Sequence, residues 1–233
     1  MTGPDGATHA AGPHGAPSGM ADLVAVMDRL RSPGGCPWDA EQTHASLLPY
    51  AIEEVFEVVE AVEHGDRADL REELGDLLLQ VVFHARLAQE HPDDPFDLDD
   101  VARGTAAKLR RRHPHVFAAG ATPDAEGLHR QWDAIKQDEK QRASAFDGIP
   151  AALPALARAH KVLGRAQRAG LDDVAGVTDV DAGAGLGERL LALVAEAQAD
   201  GVDAEHELRA AVRALEGRLR AAEAARSGVH GVD

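Results

Sequence analysis

Apolar residues recur at helical spacing through most of the chain, and this periodicity predicts an all-α protein. Convincing strands are missing, because alternating β-branched runs are absent and aromatic residues make up only 3% of the chain. Helices are expected at about residues 23–30, 52–62, 69–89, 98–112, 125–142, 153–169, 186–199 and 204–225.

The helix at about 52–62 has a clean amphipathic pattern. One face carries the apolar residues Ile52, Val55, Phe56, Val59 and Val62. The opposite side carries acidic residues, among them Glu57. The helix should end at His64-Gly65, and Asp66 is the expected N-cap of the next helix.

The helix at about 69–89 is apolar on two sides. Its wide face is formed by Leu70, Leu74, Leu77, Leu78, Val81, Val82 and Ala85, and its far side by Leu79 and Phe83. A narrow polar stripe runs between them and consists of Glu73, Asp76, Gln80 and His84. We therefore expect burial on two sides of this helix, with the stripe facing a polar cavity or a bound ion.

Proline and glycine mark the breaks between these helices. The first helix should stop at Ser32-Pro33, and residues 35–39 are expected to form a loop. The fourth helix should end at His113-Pro114, because proline disfavours the helical conformation of the residue before it.

Composition excludes several classes of protein. The net charge of −16, from 40 acidic and 24 basic residues, disfavours a general nucleic-acid-binding surface. The single cysteine, Cys36, excludes an intramolecular disulfide and a multi-cysteine metal site, and it fits a reducing cytoplasm. No apolar run approaches the length of a transmembrane helix, and the first residues do not resemble a secretory signal.

Two acidic pairs are the strongest candidates for chemistry. Glu54 and Glu57 are three residues apart on one helix, and Glu73 and Asp76 are three apart on the next. Two such pairs can converge on one cation, and their all-oxygen ligand set favours Mg²⁺ or Mn²⁺ over zinc. The alternative for the first pair is a solvated acidic face. A di-iron bundle is disfavoured, since it requires Glu-x-x-His and His84 lies eight residues after Asp76.

Basic and aromatic pairs follow downstream. Lys108 and Arg112 share a helix face, where they could bind phosphate or simply complement the helix dipole. Trp132 and Lys136 are also four residues apart, which suits a base-stacking ring beside an ammonium group, or a core tryptophan beside a surface lysine. For Trp38, packing within its loop is preferred over a nucleotide contact.

Taken in order, five motifs closely resemble the MazG nucleoside triphosphate pyrophosphohydrolases over roughly residues 21–141. They are Gly35-Cys36-Pro37-Trp38-Asp39, Glu53-Glu54-x-x-Glu57, Glu73-Leu74-Gly75-Asp76-Leu77-Leu78, Arg111-Arg112-His113-Pro114-His115-Val116-Phe117, and Gln131-Trp132 through Lys136. The resemblance implies an all-α, MazG-like helical bundle of the all-α NTP pyrophosphatase type, whose four-helix core is completed by dimerisation. It also implies Mg²⁺-dependent hydrolysis of a nucleoside triphosphate to the monophosphate and pyrophosphate, with Mn²⁺ as a possible substitute.

The same resemblance assigns roles by position. Glu54, Glu57, Glu73 and Asp76 match the metal ligands. Glu53 and Glu57 are the candidate catalytic carboxylates, since Glu53 completes the motif and either could deprotonate the attacking water. Lys108 and Arg112 match positions that contact the triphosphate, and Trp132 and Lys136 match positions near the nucleotide.

A faint internal repeat shapes the expected domain organisation. Leu74-Gly75-Asp76-x-Leu78 resembles Leu186-Gly187-Glu188-x-Leu190, with Gly185 in place of Glu73. We expect a disordered tail at 1–19, the catalytic domain at 20–145, a connecting helix at 146–170 and a linker at 171–185. A degenerate second MazG-like copy at 186–226 and a tail at 227–233 would follow, so the first copy must carry any activity.

These observations favour a cytoplasmic, homodimeric enzyme that removes nucleoside triphosphates from the nucleotide pool. A catalytically weak nucleotide-sensing or regulatory protein remains open, because the second copy is degenerate. A purely structural helical dimer is the third possibility. It predicts that magnesium and nucleotide leave the melting temperature unchanged.

Overall fold

The computed structural model describes residues 18–117, 143–171, 176 and 183–229. Over these residues the chain is helical and contains no strand, which confirms the all-α prediction. It divides into two compact units, Met1–Glu126 and Gly127–Asp233. The helices are α1 Gly19–Arg31, α2 Pro37–Glu41, α3 Leu48–Glu63, α4 Arg67–Ala88, α5 Leu98–Arg112, α6 Pro114–Phe117, α7 Ala155–Arg168, α8 Leu186–Ala199 and α9 Ala204–Val229.

Helix α4 is the centre of the first unit and packs against α1, α3 and α5. Its C-terminal half supplies most of the buried cluster. The members of this cluster are Met27, Leu47, Val82, Phe83 and Leu87. Leu47, directly before α3, is buried here, so the core fixes the start of the helix that carries Glu54 and Glu57.

Ion pairs hold α1 on α4 at the edge of this core. The guanidinium of Arg31 donates to both carboxylate oxygens of Glu90, at 2.8 and 2.9 Å. Arg86 bridges Glu90 and Asp28, at 2.9 and 2.8 Å. The hydrogen bond from Arg31 is the main reason that the pKa of Glu90 is lowered.

Capping fixes the start of α4, as the sequence predicts. The carboxylate of Asp66 accepts from the backbone N–H groups of Ala68 and Asp69, and Asp69 accepts from the N–H of Asp66 in return. Such a cap stabilises a helix by about 1 kcal/mol. Because α4 starts in a defined register, the positions of Glu73 and Asp76 are defined as well.

Residues 35–39 are not entirely a loop, contrary to the prediction. Pro37 opens the short helix α2, a position where its fixed φ is favourable and its missing N–H is not needed. Gly35 precedes it at a close approach, where an added Cβ would lie only 2.1 Å from the carbonyl oxygen of Leu30. The glycine therefore lets the chain turn tightly between α1 and α2.

The expected burial of α4 on two sides is met only in part. Val82 from the wide apolar face and Phe83 from the far side are buried, while Leu74 and Val81, also from the wide face, are exposed. Helix α3 also leaves apolar side chains exposed, namely Ile52, Phe56 and Val62. Its less exposed side combines Glu54 with Val58 and Ala61. The exposed residues form an apolar surface on α3 and α4 that is uncovered within the described residues.

The second unit contains α7, α8 and α9, each of which contacts the other two. Gly185 immediately precedes α8, and its backbone N–H donates to the carboxylate of Glu188 at 3.0 Å. Glu188 is the counterpart of Asp76 in the repeat. Here it caps its own helix, which agrees with the idea that the second copy has lost its metal ligands. The domain boundaries proposed from the sequence stay a prediction.

None of the described helices combines the length and apolar character needed to cross a membrane.

Candidate functional site

Three carboxylates from α3 and α4 meet in one small volume. Glu54, Glu57 and Glu73 each offer an oxygen, and these oxygens lie within 4.8 Å of one another. Two come from successive turns of α3, and the third comes from the second turn of the capped helix α4. The convergence predicted from the i,i+3 spacing is therefore present for these three residues.

The electrostatics of the cluster reflect this crowding. The pKa of Glu54 is raised, first by burial and then by the negative charges of Asp76, Glu57 and Glu73. The pKa of Glu73 is raised by partial burial and by the charges of Glu57 and Asp76. Each named neighbour is another carboxylate, so the cluster concentrates negative charge.

This donor set fits a hard divalent cation. Carboxylate oxygens are the ligands that Mg²⁺ and Mn²⁺ prefer, and the described residues bring no histidine or thiol into the cluster. A cation would also relieve the mutual repulsion that raises the pKa values of Glu54 and Glu73. The cluster could thus hold a metal ion, and its residues are three of the four ligands predicted from the sequence.

Asp76 and Glu53 lie beside this cluster. Asp76 is exposed on α4, one turn after Glu73, and its charge acts on both Glu54 and Glu73. Its oxygens are not among those within 4.8 Å of one another. Glu53 is exposed on α3 next to Glu54. The metal role of Asp76 and the catalytic role of Glu53 stay predictions.

The predicted substrate-binding residues are placed only in part. Lys108 and Arg112 are both half-buried, one turn apart in the last part of α5, which packs against α4. Their shared face is as predicted from the sequence. Trp132 and Lys136 lie outside the described residues.

Beyond the carboxylates, two histidines join the segment before α3 to α4. The rings of His44 and His84 stack, with centroids 5.1 Å apart and planes 8° apart, and their Nδ1 atoms are 2.8 Å apart. One Nδ1 must therefore donate and the other accept, which requires at least one neutral ring. Burial lowers the pKa of His84, and the charge of His44 lowers it further.

An aromatic cluster lies beside the histidines. The ring of Trp38 makes edge-to-face contacts with Tyr50, at 6.0 Å between centroids, and with Phe83, at 6.5 Å. The sequence analysis did not identify Tyr50, nor His44 as the residue that stacks on His84. Tyr50 could have been found, because it precedes Glu54 by four residues and so shares its helix face. His44 could not, since it is 40 residues from His84.

The histidine pair gives a testable pH dependence. Because the pKa of His84 is lower in the folded chain than its ordinary 6.5, the unfolded chain takes up this proton first as the pH falls. The free energy of unfolding should therefore decrease as the pH falls through 6.5. We expect the melting temperature of His84→Gln to fall less than that of the wild type between about pH 7.5 and 5.5. If the melting temperatures of both proteins, measured by circular dichroism, fall equally over this range, the lowered pKa of His84 is contradicted.

Comparison with known proteins agrees with this architecture. Residues 42–117 match the family model of the MazG nucleotide pyrophosphohydrolase domain, a range that includes the carboxylates, His44 and His84. The chain is 48% identical over 205 residues to a 26.1 kDa protein of Streptomyces cacaoi, covering 88% of this chain and 82% of that protein.

Two further relatives are named nucleoside triphosphate pyrophosphohydrolase. The one from Escherichia coli K12 is 47% identical over 154 residues, covering 64% of this chain. The one from Mycobacterium tuberculosis is 44% identical over 212 residues, covering 88% of this chain. In both cases the chain spans 58% of the relative's length. The all-α fold with paired carboxylates on adjacent helices, together with these matches, shows that the chain belongs to the MazG family.

Proposed function

We propose that this chain is a nucleoside triphosphate pyrophosphohydrolase, which cleaves its substrate to the nucleoside monophosphate and pyrophosphate. The observation that carries the proposal is the convergence of Glu54, Glu57 and Glu73 within 4.8 Å on two adjacent helices. Membership of the MazG family and the names of the E. coli and M. tuberculosis relatives support it.

Magnesium is the proposed cofactor, with Mn²⁺ as a substitute. Glu54, Glu57, Glu73 and Asp76 would hold it, three from within the cluster and Asp76 from its edge. When bound, such a cation offsets phosphate charge and makes a water molecule more acidic. The pKa shifts of Glu54 and Glu73 support this assignment, because a site that is strained by like charges is stabilised by a cation.

The remaining steps fall to the protein's own side chains. Glu53 or Glu57 accepts a proton from the attacking water, since both lie in the Glu53-Glu54-x-x-Glu57 motif on α3. Lys108 and Arg112 stabilise the charge that develops on the pyrophosphate leaving group. Their shared face on α5 and the contact between α5 and α4 support this role.

The proposed enzyme is a homodimer. Helices α3 and α4 expose apolar side chains on a surface that no other described residue covers, defined here as the α3–α4 apolar face. Its residues are Ile52, Val55, Phe56, Val62, Leu74 and Val81. A second copy would cover this face and complete a four-helix core from two α3–α4 pairs. We also propose that the enzyme acts in the cytoplasm on the nucleotide pool.

A sensing or regulatory protein that binds triphosphate without cleaving it is the second candidate. One observation favours it: Glu188, which stands where Asp76 does in the proposed repeat, accepts from the backbone N–H of Gly185 and so caps its own helix. Product formation separates the two candidates, because a sensor binds tightly but releases no pyrophosphate.

A panel of ribo- and deoxyribonucleoside triphosphates, incubated with Mg²⁺ and separated by ion-exchange chromatography, tests the proposal. We expect equal amounts of monophosphate and pyrophosphate from at least one substrate, and no product when EDTA replaces the metal. Binding of nucleotide by calorimetry without any product would contradict the enzyme and favour the sensor. If the products are a nucleoside diphosphate and inorganic phosphate, the proposed cleavage between the α- and β-phosphates is contradicted.

A further inference from the structure

The second unit exposes a row of apolar side chains along α9. Four residues of this row are 46–61% exposed and follow one another at intervals of four, three and four residues, namely Leu208, Val212, Leu215 and Leu219. Ala222 continues the row. Alternating intervals of three and four residues place side chains on one narrow stripe of a helix, which is the seam along which coiled coils pair. These residues are defined here as the α9 seam.

The C-terminal half of α9 is exposed on all sides. Every side chain from Ala214 to Arg226 is exposed, whereas several from Ala204 to Arg213 are half-buried, in a unit where α9 contacts α7 and α8. A helical stretch shorter than about 12–15 residues is only marginally stable in water by itself, so a partner would stabilise this end of α9. The start of the helix is fixed, because the carboxylate of Asp203 accepts from the backbone N–H groups of Glu205 and His206. Association along the seam therefore requires little further ordering.

Helix α8 exposes apolar side chains at a similar spacing. Leu186, Leu190 and Leu193 are 69%, 41% and 59% exposed. Only residues 200–203 connect α8 to α9, and Gly201 has a φ of 72° there, which permits a tight turn. The exposed start of α8 and the exposed end of α9 therefore both lie away from this turn. The three leucines and the α9 seam together are defined here as the α8–α9 apolar face.

The internal repeat relates α8 to α4 and so points to a partner. In the alignment of the repeat Val194 falls on Val82, and both are buried, at 1% and 2% exposure. The residue before each of them is exposed, Leu193 at 59% and Val81 at 41%. Corresponding helices thus leave the same side bare, and in the first unit this side belongs to the α3–α4 apolar face. A two-fold contact uses the same surface on both copies, so this correspondence favours a second copy of the chain as the partner.

Charges beside the α9 seam fit the pairing of two like helices. In a parallel pair, the residue before a seam position of one helix lies opposite a residue five positions further along the other. With Val212 and Leu219 in the seam, Arg218 of one copy would approach the partner's Glu223, and the two-fold axis would create this pair twice. The corresponding residue one heptad earlier is Ala211, so no like charges meet there. The net charge of −16 disfavours an anionic membrane as the alternative occupant.

We propose that the α8–α9 apolar face is a second contact between two copies of this chain, in which the two α9 helices pair in parallel and in register along their seams. The inference rests on the proposed homodimer. The α3–α4 apolar face joins the two chains there, and each chain's second unit is then held at a high local concentration near the other. A seam of about two heptads is a small contact, so it is weak by itself and strengthens the dimer that already exists.

A charge in the middle of the seam tests the proposal. Leu215 is 46% exposed in the single chain, so the fold tolerates Leu215→Asp, whereas the paired helices would bury the new carboxylate. We expect the dissociation constant of the full-length dimer, measured by sedimentation over a dilution series, to rise roughly 100-fold or more as the second contact is lost. Ala224→Asp is the matched control, because it places the same charge on the opposite side of the exposed half of α9. Its dissociation constant should stay within about twofold of the wild type.

Disulfide crosslinking provides the second readout, with Cys36→Ser removing the native thiol. In that background Leu215→Cys should form a disulfide between two chains on oxidation, and Ala224→Cys should not. The proposal is wrong if the two Asp variants have equal dissociation constants, if Leu215→Cys crosslinks no better than Ala224→Cys, or if the wild type stays monomeric at every concentration. Binding of the wild type, but not of Leu215→Asp, to phosphatidylglycerol vesicles with an unchanged dimer would assign the face to a membrane instead. None of these readouts uses turnover, so a failure of the proposed function is recognised separately, by the absence of pyrophosphate.

Discussion

Glu57→Gln is expected to lose metal-dependent pyrophosphate release while keeping its fold. Metal-ion stabilisation of transition-state charge contributes several kcal/mol, so kcat/KM should fall at least about 100-fold. Stability should not fall with it. The pKa values of Glu54 and Glu73 are raised in part by the charge of Glu57, so removing that charge relieves repulsion in the metal-free protein. The melting temperature without metal should stay the same or rise.

The measurement combines pyrophosphate release with melting curves in the presence and absence of Mg²⁺. Ligands that bind only the folded state raise the melting temperature, so Mg²⁺ should stabilise the wild type and have little effect on Glu57→Gln. Glu60→Gln is the matched control, because Glu60 is an exposed carboxylate one turn further along α3 and outside the cluster. Its activity should stay within about twofold of the wild type. Undiminished turnover in both Glu57→Gln and Asp76→Asn would refute the metal site.

Phe56→Asp is expected to separate the proposed homodimer. Phe56 lies in the α3–α4 apolar face and is 45% exposed in the single chain. A second copy that covers this face would bury the new carboxylate without a partner, which costs several kcal/mol and should weaken dimerisation at least about 100-fold. Since the single chain pairs only one α3 with one α4, we also expect the separated chains to lose most of their turnover.

Light scattering coupled to size-exclusion chromatography measures the mass of the assembly. The wild type should run as a dimer and Phe56→Asp as a monomer at the same concentration. Phe96→Asp provides the control, since it places the same charge on a ring of similar exposure outside that face. A Phe56→Asp protein that stays dimeric would show that this face is not the interface.

The helices themselves follow closely from the sequence. Helices α5 and α8 have the bounds that periodicity predicts, Leu98–Arg112 and Leu186–Ala199. The capping role of Asp66 was also foreseen, because a cap depends only on residues within one turn. Two local signals were overlooked. Ser18 caps α1 and extends it to Gly19, and Pro37 opens α2.

The faces of the helices were harder to assign. Periodicity shows that α3 has an apolar side and an acidic side, but it does not show which side meets α4. In the structure the less exposed side of α3 is mixed, because it combines Glu54 with Val58 and Ala61, and Phe56 and Val62 are left exposed. Apolar residues on this side, such as Val58 and Ala61, are less exposed, and the same side brings Glu54 close to Glu73.

The sequence predicted those parts of the candidate site that depend on the spacing of residues along one helix. The i,i+3 pairs identify Glu54, Glu57 and Glu73, since residues on one helix face have fixed neighbours. The contact between His44 and His84, and the position of Trp38 against Phe83, join segments more than one helix apart. No periodicity encodes such contacts, so they became visible only in the folded chain.

Phosphorus-31 NMR of the wild-type chain with a hydrolysed nucleoside triphosphate and Mg²⁺ tests the central claim most directly. The claim is that the carboxylates of α3 and α4 hold the cation on which cleavage between the α- and β-phosphates depends. We expect the three triphosphate resonances to be replaced by those of a monophosphate and pyrophosphate, and chelation of the metal to stop the reaction at once. Release of inorganic phosphate with a nucleoside diphosphate, or cleavage that continues after chelation, would contradict it.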